Sequence, residues 1–221
     1  MESLLAFAAE LERRDAEVAQ ALDRIERLQR DVEQLRARAA ATVRSLDSHA
    51  KLLAAGTDEE RSALAARARA EAAVREEEAT LEAKRGESER LETERALQDA
   101  RDYLQSTERW VAESRTAREE LERRGEAHRA DVARLERRAV DLAADVRVDR
   151  PAADGLDGAL EWASRARGAL LLERSSLAAE RETIVREASE LVGSVLGEPL
   201  TATSVAGLRD RLSRALRETS A

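Results

Sequence analysis

Leu4, Leu11, Val18, Ile25, Val32, Ala39, Leu46 and Leu53 follow one another at intervals of seven, and Phe7, Ala21, Leu28 and Leu35 occupy positions three further on. Side chains seven apart return to one side of an α-helix, so a row of this kind is shielded only by another helix lying alongside. At about 1.5 Å rise per residue the row predicts a first helix of roughly 75 Å. An element of this type serves as spacer, clamp or dimeriser and offers no pocket for chemistry.

Composition supports the same class. Aromatic residues make up 2% of the 221 and charged residues 38%, with 9 Gly and 2 Pro, and Ala, Leu, Glu and Arg dominate. That is the profile of long helices and coiled coils. A compact globule needs more large apolar side chains to offset the entropy of ordering its chain. At 43%, the apolar content is also too high and too regular for a disordered polyelectrolyte. Most of the net charge of −8 arises in residues 55–154, where 26 acids face 20 bases, with a knot at Glu76, Glu77 and Glu78. Charges of both signs intersperse everywhere, which reads as a solvated helix surface and disfavours direct nucleic-acid binding. With no cysteine, neither a disulfide nor a thiolate metal site exists, as suits a reducing cytoplasm. No apolar run reaches the ~18 residues of a membrane span. The opening MESLLAFAAELERR lacks the basic leader and cleavage site of a signal peptide.

Helix punctuation divides the chain. Gly56 reads as the residue past a helix end, and Thr57 with Glu60 as a capping box, giving a first coiled-coil helix over 1–55. A long central helix is expected over 58–148, with Gly86 and Gly125 tolerated inside it, a bend near Gly86 and a stutter between Leu91 and Leu97. Pro151 stops it within a 149–156 loop, where Asp154 is placed to cap the next helix. A third coiled-coil helix over 157–197 carries Ala163, Leu170, Leu177, Ile184 and Leu191 after Leu156, again in sevens, and ends at Gly197 before Pro199. Thr203 or Ser204 then caps a short helix over 203–217. Tight reversals near 56 and 152 predict an all-α, elongated antiparallel coiled coil of two helical hairpins sharing the central helix, a rod of roughly 135 Å. The outer helices would then meet end to end, with Phe7, Tyr103 and Trp110 at the junction. A parallel homodimer through the first helix is the rival topology. Short loops favour the hairpins.

Chemistry finds little purchase. His49 and His128 both fall on seam positions, and neither has a histidine four residues on that would make a zinc pair. Carboxylates need a desolvating cleft to act in acid–base catalysis, and no phosphate-cradling glycine loop exists. No catalytic residue, metal site or cofactor is expected. Arg167, Arg174 and Arg181 step by seven beside the third seam. Either their stems pack over it and pair with acids of the central helix such as Asp131, Glu136 or Asp141, or they set register or meet a partner's acidic helix. Trp162 reads as edge packing, or else as an exposed contact. The Leu4, Leu5, Phe7, Ala8 and Leu11 cluster reads as seam more than as membrane anchor. The short last helix cannot stand alone, so its Leu208, Leu212 and Leu216 face is a candidate partner surface.

These features predict a non-enzymatic scaffold or spacer acting by length and helix–helix association, its partners being other proteins or a second copy. The Ala/Glu/Arg/Leu composition is broadly similar to the coiled-coil arms of chromosome-maintenance ATPases, which makes an arm segment the second reading. A membrane-remodelling helical hairpin protein of the phage-shock type is the third; it matches in size but lacks a convincing amphipathic anchor.

Overall fold

The computed structural model describes residues 2–149, 155–197 and 205–218. They form α1 (Glu2–Ala83), α2 (Glu87–Val146), α3 (Leu156–Leu196) and α4 (Leu208–Glu218), with no strand among the described residues. The chain is all-α, as its heptad rows predict. Contacts divide it into a first unit, Met1–Ala39 with Leu135–Ala221, and a second unit, Ala40–Arg134.

In the first unit the heptad ladder points inward: Leu11, Val18, Ile25, Val32 and Ala39 are buried. The third row does the same through Leu156, Ala163, Leu170 and Ile184. α2 adds Leu135, Ala139, Leu142 and Val146. Burying each large aliphatic side chain contributes about 1.5–3 kcal/mol, so these rows hold the unit together. Ion pairs give the directions. Glu33, Glu26 and Asp15 of α1 pair with Arg167, Arg174 and Arg181 of α3, one series falling as the other rises, so the two helices are antiparallel. Asp31 and Arg24 pair with Arg138 and Asp145 of α2, which is antiparallel to α1 as well.

In the second unit α1 and α2 also run in opposite directions, with Glu78 opposite Arg101, Glu60 opposite Arg115 and Arg118, and His49 opposite Leu121. The seam here is thin. Its buried apolar residues are Ala63, Ala66, Ala70, Val74, Leu97 and Val111. Thr93, Thr107 and Ser114 are buried beside them, each hydroxyl donating to a carbonyl of its own helix.

Several boundaries differ from those the sequence predicts. Gly56 lies inside α1, and no reversal occurs there. Thr57 caps nothing: its hydroxyl donates to the Leu53 carbonyl at 2.8 Å, as a residue in mid-helix does. The reversal sits at Lys84–Arg85–Gly86, so the expected 58–148 helix divides between α1 and α2. A glycine and a capping box are each worth about 1 kcal/mol, less than the inward packing of Ala63, Ala66, Ala70 and Val74 just beyond. Close to residue 85 no large apolar side chain is buried, and the chain leaves the helix cheaply. The third helix also chooses a different neighbour. Its arginines pair with α1, so α1, and not the central helix, carries the antiparallel partner row. α2 and α3, both antiparallel to α1, run parallel to each other and do not make the second hairpin expected from a reversal near 152. The large side chains of the first ladder explain that choice, since they offer α3 more burial.

Residues 150–154 and 198–204 lie outside the described residues, and with them the expected Asp154, Thr203 and Ser204 caps. Gly155 precedes α3 at φ 97° and ψ −176°, a backbone conformation open to glycine alone. Gly197 ends α3 as predicted: it is left-handed at φ 69°, and its N–H donates to the Gly193 carbonyl at 2.9 Å.

Candidate interaction surfaces

The arginine ladder is the most regular polar feature of the first unit. Arg167 Nε lies 2.7 Å from Glu33 Oε1, Arg174 Nη2 3.4 Å from Glu26 Oε1, and Arg181 Nε 3.0 Å from Asp15 Oδ1. Arg14 and Glu187 add a pair in the reverse sense at 3.4 Å. The expected partners Asp131, Glu136 and Asp141 are not the ones used, because the acids of α1 stand across the α1–α3 seam. Most of these groups are half exposed, so each pair stabilises modestly. Their value lies in register: a slip of one turn would set Arg174 and Arg181 away from their acids.

The Leu208–Leu212 face of α4 is occupied within the chain. Leu208 and Leu212, with Val205, pack into one cluster with Ala8, Leu11, Val18, Ile184, Ala188 and Val192. Glu12 Oε1 accepts the Arg209 backbone N–H at 3.0 Å, satisfying a free donor in the first turn of α4. Leu216 is half-buried. The eleven-residue helix is therefore a clasp over α1 and α3, not an open partner surface. Trp162 is fully buried, which excludes it as an exposed contact, and its indole N–H has no partner among the described residues. Ala8 and Leu11 are buried in the seam, while Phe7 is 45% exposed.

The second unit brings both histidines together. Their ring centroids are 5.3 Å apart and edge-on at 70°. His49 Nε2 lies 2.7 Å from the Leu121 carbonyl oxygen, and Ser45 Oγ lies 3.5 Å from His128 Nε2. Gly125 makes room, since a Cβ there would sit 2.9 Å from His49 Cε1. Both rings stand on the seam, as their heptad positions predict. Their mutual contact is not legible in the sequence, because it depends on the reversal at residue 85. Among the described residues no group of three or more His, Asp or Glu side chains can hold a metal ion. No helix among them is long and apolar enough to cross a membrane.

Phe7 belongs to the first unit, and Tyr103 and Trp110 to the second. The junction expected for them requires a reversal at residue 56. With the reversal near residue 85, Trp110 stands opposite Glu59, to which its indole N–H donates at 3.4 Å. Six large apolar side chains of the second unit are exposed: Val43, Leu52, Leu64, Leu91, Tyr103 and Trp110. Only Val74, Leu97 and Val111 among its buried apolar residues are larger than alanine. The chain matches no protein-family model, no curated protein and no solved structure.

Proposed function

We propose that this protein is a non-enzymatic coiled-coil scaffold or spacer, built of long helices packed along antiparallel seams and working through helix length and helix–helix association. One observation carries the reading. The ladder Leu11, Val18, Ile25, Val32 and Ala39 is buried at seven-residue steps, and the Arg167–Arg174–Arg181 ladder beside it engages Glu33, Glu26 and Asp15 of α1 in turn. A chain that devotes its large side chains to seams gains rigidity and defined surfaces. Its partners are other proteins or a second copy of itself.

Such a scaffold is indifferent to single polar side chains and sensitive to heptad phase. The test compares three variants in the host by complementation: a paired deletion of residues 19–25 and 175–181, a deletion of residues 19–21 alone, and His49→Ala with His128→Ala. The paired deletion removes one heptad from each of two antiparallel helices and keeps the seams in phase. It and the histidine variant should retain the cellular role, while the three-residue deletion loses it. Loss with the histidine variant and retention with the out-of-phase deletion would overturn the reading.

A further inference from the structure

α2 carries two heptad stripes; one is buried against α1, and the other meets α1 through the Trp110–Glu59 hydrogen bond but stays exposed. Leu97, Ala100, Leu104, Thr107, Val111 and Ser114 alternate by three and four and face α1, all buried or half-buried. Asp99, Tyr103, Ser106, Trp110 and Glu113 alternate by four and three, and every one of them is exposed. Tyr103 and Trp110 are two of the chain's four aromatic residues. An exposed tyrosine and tryptophan one heptad apart are costly on a solvated helix and are characteristic of buried interface cores. The unit that bears them exposes more large apolar side chains than it buries, so its own seam leaves association unsatisfied.

The charges around this stripe say what covers it. Arg95 and Arg109 flank it one row out, each four residues before Asp99 and Glu113, and all four are exposed. No ion pair among the described residues engages any of the four, although many other exposed arginines of the chain hold one. Laid antiparallel on itself about a centre near residue 104, the stripe sets Asp99 against Arg109 and Glu113 against Arg95, because both pairs share that midpoint. In a two-fold arrangement each pairing occurs twice, giving four ion pairs, and Tyr103 falls beside the axis. An unrelated partner would need to supply this pattern. A second copy of the chain already has it.

We infer that the outer stripe of α2 is a homodimer interface, antiparallel and isologous, centred on Tyr103 with Trp110 on either side. The inference rests on the reading of the chain as an association module and specifies which surface associates. Tyr103 is 54% and Trp110 38% exposed, so each ring has at most about half of the ~150–250 Å² of a fully covered aromatic left to bury. The side chains flanking the stripe supply most of a standard interface of about 1,600 Å². Antiparallel dimers set the same flank of each helix side by side, so the four ion pairs line one edge. They supply orientation and salt sensitivity more than affinity.

Sedimentation equilibrium of the full chain tests this, with helix content followed by circular dichroism as a check on folding. The wild type should be a dimer at tens of micromolar, and Trp110→Ala should weaken it by about tenfold or more. Asp99→Arg with Glu113→Arg makes the stripe wholly basic, and Arg95→Glu with Arg109→Glu makes it wholly acidic. Each variant alone should be monomeric with unchanged helix content. Mixed in equal amounts, they should form a heterodimer as tight as the wild type. A wild-type monomer at about 100 µM, well above the micromolar range of an ordinary specific interface, overturns the inference, whether or not the stripe then proves to bind a different protein or a lipid vesicle. So do charge variants that remain dimeric alone, or folded variants that fail to pair when mixed. A monomeric wild type whose in-phase and out-of-phase deletions still behave as expected leaves the scaffold reading standing.

Discussion

Gly125 is where a missing side chain decides how closely α1 and α2 approach. A Cβ at this position would lie 2.9 Å from His49 Cε1, and His49 cannot swing aside without losing its 2.7 Å contact to the Leu121 carbonyl oxygen. Helix propensity alone favours Gly125→Ala by about 1 kcal/mol, but overpacking of a fixed ring costs about 1–3 kcal/mol. The variant should therefore be destabilised in urea titration, and adding His49→Ala should bring stability to or above wild type. Gly56 offers the contrast. An alanine methyl there would meet only the free end of a side chain, Leu121 Cδ1, at 3.3 Å, so Gly56→Ala should be neutral or stabilising by up to about 1 kcal/mol. Glu10 gives the residue-scale pH effect. Hydrogen bonding from Arg13, opposed by slight desolvation and aided by charge, holds its carboxyl below the ordinary carboxylate range. Because the folded value is depressed, the associated stability is present above the unfolded carboxylate pKa and fades as pH falls through the folded one. Arg13→Gln should raise the Glu10 titration midpoint in a carboxyl NMR titration, with little change in overall stability because both groups are exposed.

At the scale of the helix, α3 owes its register to α1. Reversing Arg167, Arg174 and Arg181 to glutamate sets like charges opposite Glu33, Glu26 and Asp15, and should cost about 1–3 kcal/mol in total. Reversing those three acids to arginine in the same chain should recover most of the loss. If the triple reversal leaves the melting midpoint unchanged, the ladder has no part in register. α4 depends on burial instead. Leu212 is 1% exposed, so Leu212→Ala should cost about 2–5 kcal/mol of the clasp's docking, and hydrogen exchange should quicken in α1 around Leu11 and in α3 around Ile184. Much of this level is legible in the sequence. The all-α class, the inward heptad ladder, the row through Leu170 and Ile184 and the Gly197 cap all follow from spacing, because each is decided within one helix. Gly56 and the partner of α3 are not legible in that way. A local stop signal at Gly56 competes with packing that depends on which helix lies opposite, and the arginine row fits any acidic face at the same spacing. The place of Leu208 and Leu212 is equally a matter of tertiary choice, since an amphipathic helix looks alike whether it docks at home or elsewhere.

For the whole molecule, the two units differ in what their seams are made of. The first buries Leu11, Ile25, Leu142, Trp162, Leu170 and Ile184 among others, while the second relies on alanines, three larger apolar residues and three internally bonded hydroxyls. At about 25 cal/mol per Å² of apolar surface, alanine seams stabilise a helix pair far less than leucine and isoleucine seams. The units should therefore open at different denaturant concentrations, the second one first, and the chain's two tryptophans can report on each. Trp110 lies in the second unit and Trp162 in the first. In Trp162→Phe the remaining fluorescence should change at a lower urea midpoint than in Trp110→Phe, in which only the buried indole is left. Association adds a second signature. A dimerising second unit gains about 1.4 kcal/mol for each tenfold rise in protein concentration, so the Trp110 midpoint should climb with concentration while the Trp162 midpoint stays in place. Coincident midpoints at every concentration would mean that the thin seam draws its stability from the rest of the chain, and that the exposed stripe of α2 contributes none of it.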